Sequence, residues 1–344
     1  MPLIDAFKGI ASQLIVLHHL SAYGPMPLAA QPVLPGTLGW LYEYARMAVQ
    51  VFLVIGGFLA ARALSDNGQA LTRSPLALIW KRYLRLAIPY LAAIGLAIIG
   101  AAIADHWMDD EAIPDRATLA QWLAHAFLLQ SLLGYDSLSA GVWYIAIDFQ
   151  LFALMAILLW LGRVRYVAPA LVLLVTTSSL FWFNRDANWD NWALYFFGSY
   201  GLGAAAWWTG DRRRPPAWLG VIAGIALAAL FIDFRLRIAV ALAVALTLGL
   251  SHRSGLLERW PEWPVLAFLG RISYSLFLVH FPVCLLANAL FVRLGLNAPG
   301  TALAFMALAW AASIAVATLF YSWVEKPAAS GRIAAALGLA AGKA

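Results

Sequence analysis

Ten apolar runs of membrane-crossing length follow one another along the chain, at about 4–22, 44–63, 82–104, 142–162, 167–183, 192–209, 216–232, 235–250, 264–293 and 299–326. A helix needs roughly 20 mainly apolar residues to cross the hydrocarbon core of a bilayer. It also satisfies its own backbone polar groups there, which open strands and loops do not. The runs therefore predict an all-α fold, a polytopic membrane helix bundle of about ten transmembrane spans. Composition agrees. The chain is 63% hydrophobic and 12% charged, where soluble proteins carry about 25% charged residues. Sixteen tryptophans and twelve tyrosines suit the two membrane–water interfaces. Residues 118–133, "TLAQWLAHAFLLQSLL", are apolar but short and read as an interfacial or re-entrant helix.

The net charge of +6 carries no nucleic-acid signal, because Lys and Arg fall in short clusters between the apolar runs. With the N-terminus inside, seventeen of the twenty-three basic residues fall on inside segments, so the positive-inside rule predicts both termini in the cytoplasm. The longest outside segment, 105–141, is acidic (Asp105, Asp109, Asp110, Glu111, Asp115, Asp136) and is a candidate for choosing a second substrate. The single cysteine, Cys284, excludes an intramolecular disulfide and a Cys-based zinc site, and no metal is predicted. Lys8 and His19 argue against residues 1–32 as a removable signal segment. Residues 1–330 read as one integral-membrane domain and 331–344 as a flexible cytoplasmic tail, Ala/Gly-rich in sequence.

Ionisable groups inside a bilayer are costly and mark function by default. Lys8 and His19 are eleven residues apart, which at 100° per residue places them on one helix face, about 16 Å apart along the axis. Asp148, in "GVWYIAIDFQLF", falls at the depth expected for His19, and a buried carboxylate needs a partner. It is therefore expected to orient the imidazole. His280 lies well along the ninth span, and Pro282 is expected to break the helix ladder beside it. Arg82 and Arg85 share a face at the inner surface, either as a positive-inside anchor or as a clamp for an anionic ligand. Glu325 ends the tenth span at the same level and is a candidate partner for one of these arginines.

Six fragments, in order, resemble the integral-membrane acyltransferase 3 family, the ten-span acyltransferases that modify bacterial glycans. They are "IDAFKGIASQLIVLHHL", "VFLVIGGFLAAR", "KRYLRLAIPY", "GVWYIAIDFQLF", "YSLFLVHFPV" and "YSWVEKPA". Lys8 stands where arginine is usual and Asp148 where glutamate is usual. Residues 165–260 carry no matching motif.

The resemblance implies an O-acyltransferase of the cell inner (plasma) membrane. Its donor would be a cytoplasmic acyl-CoA, in the first place acetyl-CoA, and its acceptor a glycan or lipid-linked sugar. Lys8, Arg82 and Arg85 would bind the donor. His19 would be the catalytic base or the acyl acceptor, with Asp148 holding its tautomer. Trp143, His280 and Glu325 would contact substrate. The rival reading is a proton-coupled secondary transporter, which intramembrane His and Asp suit equally well. Against it, no repeat and no paired Gly/Pro-interrupted spans are visible.

Overall fold

A computed structural model describes residues 1–163 and 167–333. Every regular element in them is helical. The helices are α1 (Pro2–Ala22), α2 (Pro25–Ala30), α3 (Pro35–Tyr44), α4 (Ala48–Leu64), α5 (Pro75–Asp105), α6 (Leu119–Ala126), α7 (Trp143–Leu161) and α8 (Val167–Phe181), followed by α9 (Ala193–Gly210), α10 (Ala217–Ile232), α11 (Leu236–Ser254), α12 (Leu256–Arg259), α13 (Pro264–Arg293), α14 (Pro299–Phe320) and α15 (Lys326–Ala329).

Each of the ten expected runs holds a helix. Seven stretches are long and apolar enough to cross a membrane: Pro35–Leu64, Pro75–Asp105, Trp143–Leu161, Val167–Arg185, Leu236–Ser254, Pro264–Arg293 and Pro299–Ala329. The chain is thus an integral, multi-pass membrane protein. Of the other three, α10 is apolar but has 16 residues. α1 is diluted by Asp5, Lys8, His18 and His19, and α9 by its glycines and polar groups.

One expectation changes, and two long helices show features of their own. α6 covers Leu119–Ala126 rather than the whole of 118–133. A Thr118–Gln121 capping box starts it, and Leu128, with φ of 59°, takes a left-handed turn that an α-helix cannot absorb. α13 loses one rung of its ladder at Pro282, which has no N–H, and runs on to Arg293. Gly100 of α5 lets the two helices close there, since a β-carbon on it would stand 3.2 Å from Pro282 Cβ. α14 ends in a π-helical turn, Tyr321–Glu325, a feature often found at functional sites. The expected tail lies, from residue 334 on, outside the described residues, as does Arg165.

The helices gather into two compact units. One comprises Met1–Lys8, Val49–Tyr83 and Ile145–Ala267, the other Gly9–Ala48, Leu84–Tyr144 and Phe268 onwards. Each is assembled from three separate stretches of the chain, so no single cut in the sequence separates them.

In the first unit α9 is the buried axis, with Tyr200, Phe197 and Ala204 among its fully covered residues. A helix apolar on all sides belongs inside. Glycines set how closely its neighbours approach: a β-carbon on Gly57 would overlap the Tyr200 carbonyl, and one on Gly203 the Val54 carbonyl. Small residues at crossing points are how membrane helices gain van der Waals contact. Gly57→Val is expected to abolish recovery of monodisperse protein after detergent extraction, whereas Gly220→Val, at a site with open space around it, is not. Size-exclusion profiles of both would settle this, and equal profiles would refute the close-packing account.

In the second unit Asn288 of α13 ties down the turn after α1. Its Oδ1 accepts from Met26 N at 3.0 Å, and its Nδ2 donates to the Tyr23 carbonyl at 3.3 Å. Gly24, with φ of 84°, packs against that amide and leaves no room for a side chain. The turn therefore holds Tyr23 where α1 ends.

Candidate active site

α1 and α13 bring two buried histidines together. His19 is 7% and His280 0% exposed. His19 Nδ1 lies 2.7 Å from His280 Nε2, and the rings stack with centroids 4.8 Å apart. His280 Nδ1 sits 2.9 Å from the Leu276 carbonyl, which can only accept. With both rings neutral, His280 Nδ1 must carry its proton and His280 Nε2 is bare. His19 Nδ1–H therefore donates to it. The chain of two bonds fixes one tautomer and leaves the His19 Nε2 lone pair uncommitted, the state a proton acceptor or nucleophile needs.

Aromatic rings frame this pair. Tyr23 and Phe281 lie 5.5 and 6.3 Å from His19, centroid to centroid. Phe277 lies 6.2 Å from His280 and meets Tyr144 edge-on. Gly141, with φ of 82°, passes so near that a β-carbon on it would stand 3.5 Å from His19 Cε1. The segment leading into α7 thus passes along the imidazole edge, and its left-handed backbone at this residue favours glycine. Tyr23 and Phe281 also form part of the wall of an open cavity of about 1710 Å³.

The carboxylate expected to orient His19 is engaged elsewhere. Asp148, with its side chain 9% exposed, accepts from Arg82 Nη2 at 2.5 Å. The Arg82 guanidinium also lies 5.4 Å from the centre of the Phe152 ring. Gly56 of α4 and Tyr200 of α9 close round the pair, a β-carbon on Gly56 falling 3.7 Å from Asp148 Oδ1. A guanidinium offers a buried carboxylate a full charge and a directed donor, which an imidazole does not match.

The remaining expected residues are spread along other elements. Lys8 pairs with Asp5 one turn away on α1 at 2.9 Å. Arg85 is exposed on α5, one turn beyond Arg82. Trp143 is half-buried at the start of α7. Glu325 Oε2, in the π turn, accepts from Ser275 N and Oγ of α13 at 3.1 and 2.5 Å, which ties the end of α14 to a serine five residues before His280.

Residues 2–324 match the family model of the acyltransferase 3 domain, described as an acyltransferase domain. The chain belongs to the acyltransferase 3 family. No curated protein and no solved structure matches it. Membership makes the chain a transferase of acyl groups in a membrane, which implies an acyl donor and an acceptor.

Sequence reasoning overlooked Tyr23, Asn288 and His125. Tyr23 follows His19 by four residues, a spacing that shares a helix face, so a signal was present. Asn288 was legible only as a polar group in an apolar run. His125, fully buried, has Nδ1 on the Gln121 carbonyl at 2.9 Å and accepts from Leu138 N at Nε2 at 3.2 Å. It clamps the loop that follows α6, and nothing in the local sequence announces the partner at Leu138.

Proposed function

We propose that this acyltransferase moves an acyl group, in the first place acetyl, from cytoplasmic acyl-CoA to a hydroxyl of a glycan or lipid-linked sugar. The observation that carries this reading is the His19–His280 pair with its free Nε2, set beside an open cavity. The acceptor hydroxyl oxygen attacks the thioester carbonyl while His19 Nε2 takes its proton. The carbon–sulfur bond then breaks, and the CoA thiolate leaves with the proton returned by the imidazolium. His280, accepting from His19 Nδ1–H throughout, supports the positive charge that forms. The same lone pair serves the variant in which His19 itself carries the acyl group between donor and acceptor.

Lys8, Arg82 and Arg85 are the candidate donor contacts, on the cytoplasmic side in an orientation with both termini inside. Lys8 and His19 stand on one continuous helix, α1, about 16 Å apart along its axis. Lys8 and the reacting imidazole are thereby separated along one element. Arg82 already holds Asp148, which fixes its guanidinium in advance. Asp148 is then a positioning residue for Arg82 rather than a partner of the imidazole. Trp143 and Glu325 are proposed to shape the substrate path, Glu325 through its hold on α13.

The test uses purified protein in sealed vesicles with radiolabelled acetyl-CoA. Label passing to water or to added glycan at a protein-dependent rate supports the reading. Absence of acyl-CoA turnover together with proton-coupled uptake of a solute would sink it and favour the transporter.

A further inference from the structure

We infer that the acceptor is an oligosaccharide bearing protonated amines, held in the cavity beside His19 by carboxylates of the loop between α5 and α6. This deepens the acyltransferase reading and rests on it. The cavity of about 1710 Å³ is larger than the roughly 300–1,000 Å³ of ordinary small-ligand sites, so it suits several sugar units rather than one. A second cavity of about 650 Å³ shares Tyr23, Asp110, Glu111 and Ala112 with it, extending the same wall toward the α1–α3 turns.

The charged lining is predominantly acidic. Asp105, Asp109, Asp110, Glu111, Asp115 and Asp136 all contribute to the larger cavity, and among the described residues of its wall Arg116 is the cation that opposes them. None of the six forms an ion pair among the described residues. Asp110 Oδ1 accepts only the Ala112 N–H, at 2.9 Å. A concave wall of uncompensated charge concentrates the opposite charge and repels its own. Phosphate- or uronate-bearing glycans are therefore the wrong class, and an aminated chain is the complementary one.

Two further observations show that the backbone carrying these exposed carboxylates is held in place. Met108 is buried with Ala101, Ala104, Leu285 and Ala289, and Trp107, Ala112 and Ile113 pack on that cluster. The stretch carrying Asp109, Asp110 and Glu111 is thus anchored at both ends. On the far side Gln121 Nε2 donates to the Asp136 carbonyl at 2.8 Å. Ser139, also on the cavity wall, is 2% exposed, and its hydroxyl has no hydrogen-bond partner among the described residues. A buried hydroxyl left unsatisfied costs stability, and a ligand hydroxyl or amine would satisfy it.

The test measures binding of three oligomers of equal length to the full-length protein in detergent: a glucosamine oligomer, its N-acetylated counterpart and a galacturonate oligomer. The aminated chain is expected to bind at least about tenfold more tightly than the N-acetylated one at low salt. That preference should shrink as salt is raised and the Debye length falls to about 8 Å or less. Galacturonate should bind least. Asp109→Asn/Asp110→Asn/Glu111→Gln should erase the preference. Arg116→Gln should strengthen it, an increase that a misfolded protein would not give. Equal binding of the aminated and acetylated chains, or a preference that survives the triple variant, overturns the inference. Because the readout is binding, the two readings fail separately: turnover of acyl-CoA without amine preference sinks this inference alone, whereas lack of acyl-CoA turnover sinks the enzymatic reading.

Discussion

Replacing His19 by alanine is expected to bring acyl transfer to background, and replacing His280 by phenylalanine to lower kcat by roughly 10²- to 10⁴-fold. The reason lies in the two hydrogen bonds of the pair. Without His280, His19 Nδ1–H has lost the acceptor 2.7 Å away, nothing selects the tautomer with a bare Nε2, and the imidazolium formed in the reaction has no neighbour to accept from it. Phenylalanine keeps a planar aromatic ring, so the contact with Phe277 survives while the acceptor goes. Glutamine in place of His280 offers a carbonyl oxygen to the same Nδ1–H and is expected to restore part of kcat. KM for the donor should hardly move in either His280 variant, because His280 acts through His19 and not on the CoA. The double replacement should be no slower than His19→Ala, as groups that act as one unit are not additive. Single-turnover transfer of labelled acyl groups measures all four variants. Wild-type kcat in His280→Phe would remove His280 from the mechanism.

Asp148→Ala is expected to destabilise the protein by about 3 kcal/mol. That is the lower end of the range for breaking a buried ion pair, chosen because the Arg82 side chain is 27% exposed and keeps some solvent. The cost arises less from the lost attraction than from the guanidinium left beside Phe152 and Tyr200. Removing both charges at once, as Arg82→Met/Asp148→Leu, should therefore recover most of the stability while losing donor binding. Thermal unfolding in detergent, read alongside KM for acyl-CoA, separates the two effects. A double variant no more stable than Asp148→Ala would refute this account, and an unchanged KM in the double variant would remove Arg82 from the donor contacts.

Local pattern carried much of the architecture. The run 264–293 was legible to the residue, because Pro264 opens α13 and the apolar stretch holds to Arg293. The overrun of α6 shows where pattern stops: "TLAQWLAHAFLLQSLL" stays apolar past Ala126, but His125 turns inward to bond Leu138 and Leu128 adopts a left-handed backbone. Those are contacts with residues beyond the helix, which hydrophobicity does not encode. At Pro282 the missing N–H removes one rung of the ladder, as the sequence implies, and α13 continues past it with Gly100 of α5 packed close by.

The amino-acid sequence by itself determined the class of protein, the position of its helices and the identity of its chemically unusual residues. Burial of apolar residues and the cost of charge in a bilayer are properties of segments, and Lys8, His19, Arg82, Asp148, His280 and Glu325 each stand out within a segment. Which of them meet was decided only by the tertiary structure. A carboxylate and a histidine at matching depth on two helices looked like partners. Helix rotation and glycine-permitted approach gave Asp148 to Arg82 and His280 to His19 instead. Pairing across helices depends on angles and distances between elements far apart in the chain, and a one-residue rotation of about 100° is enough to exchange one partner for another.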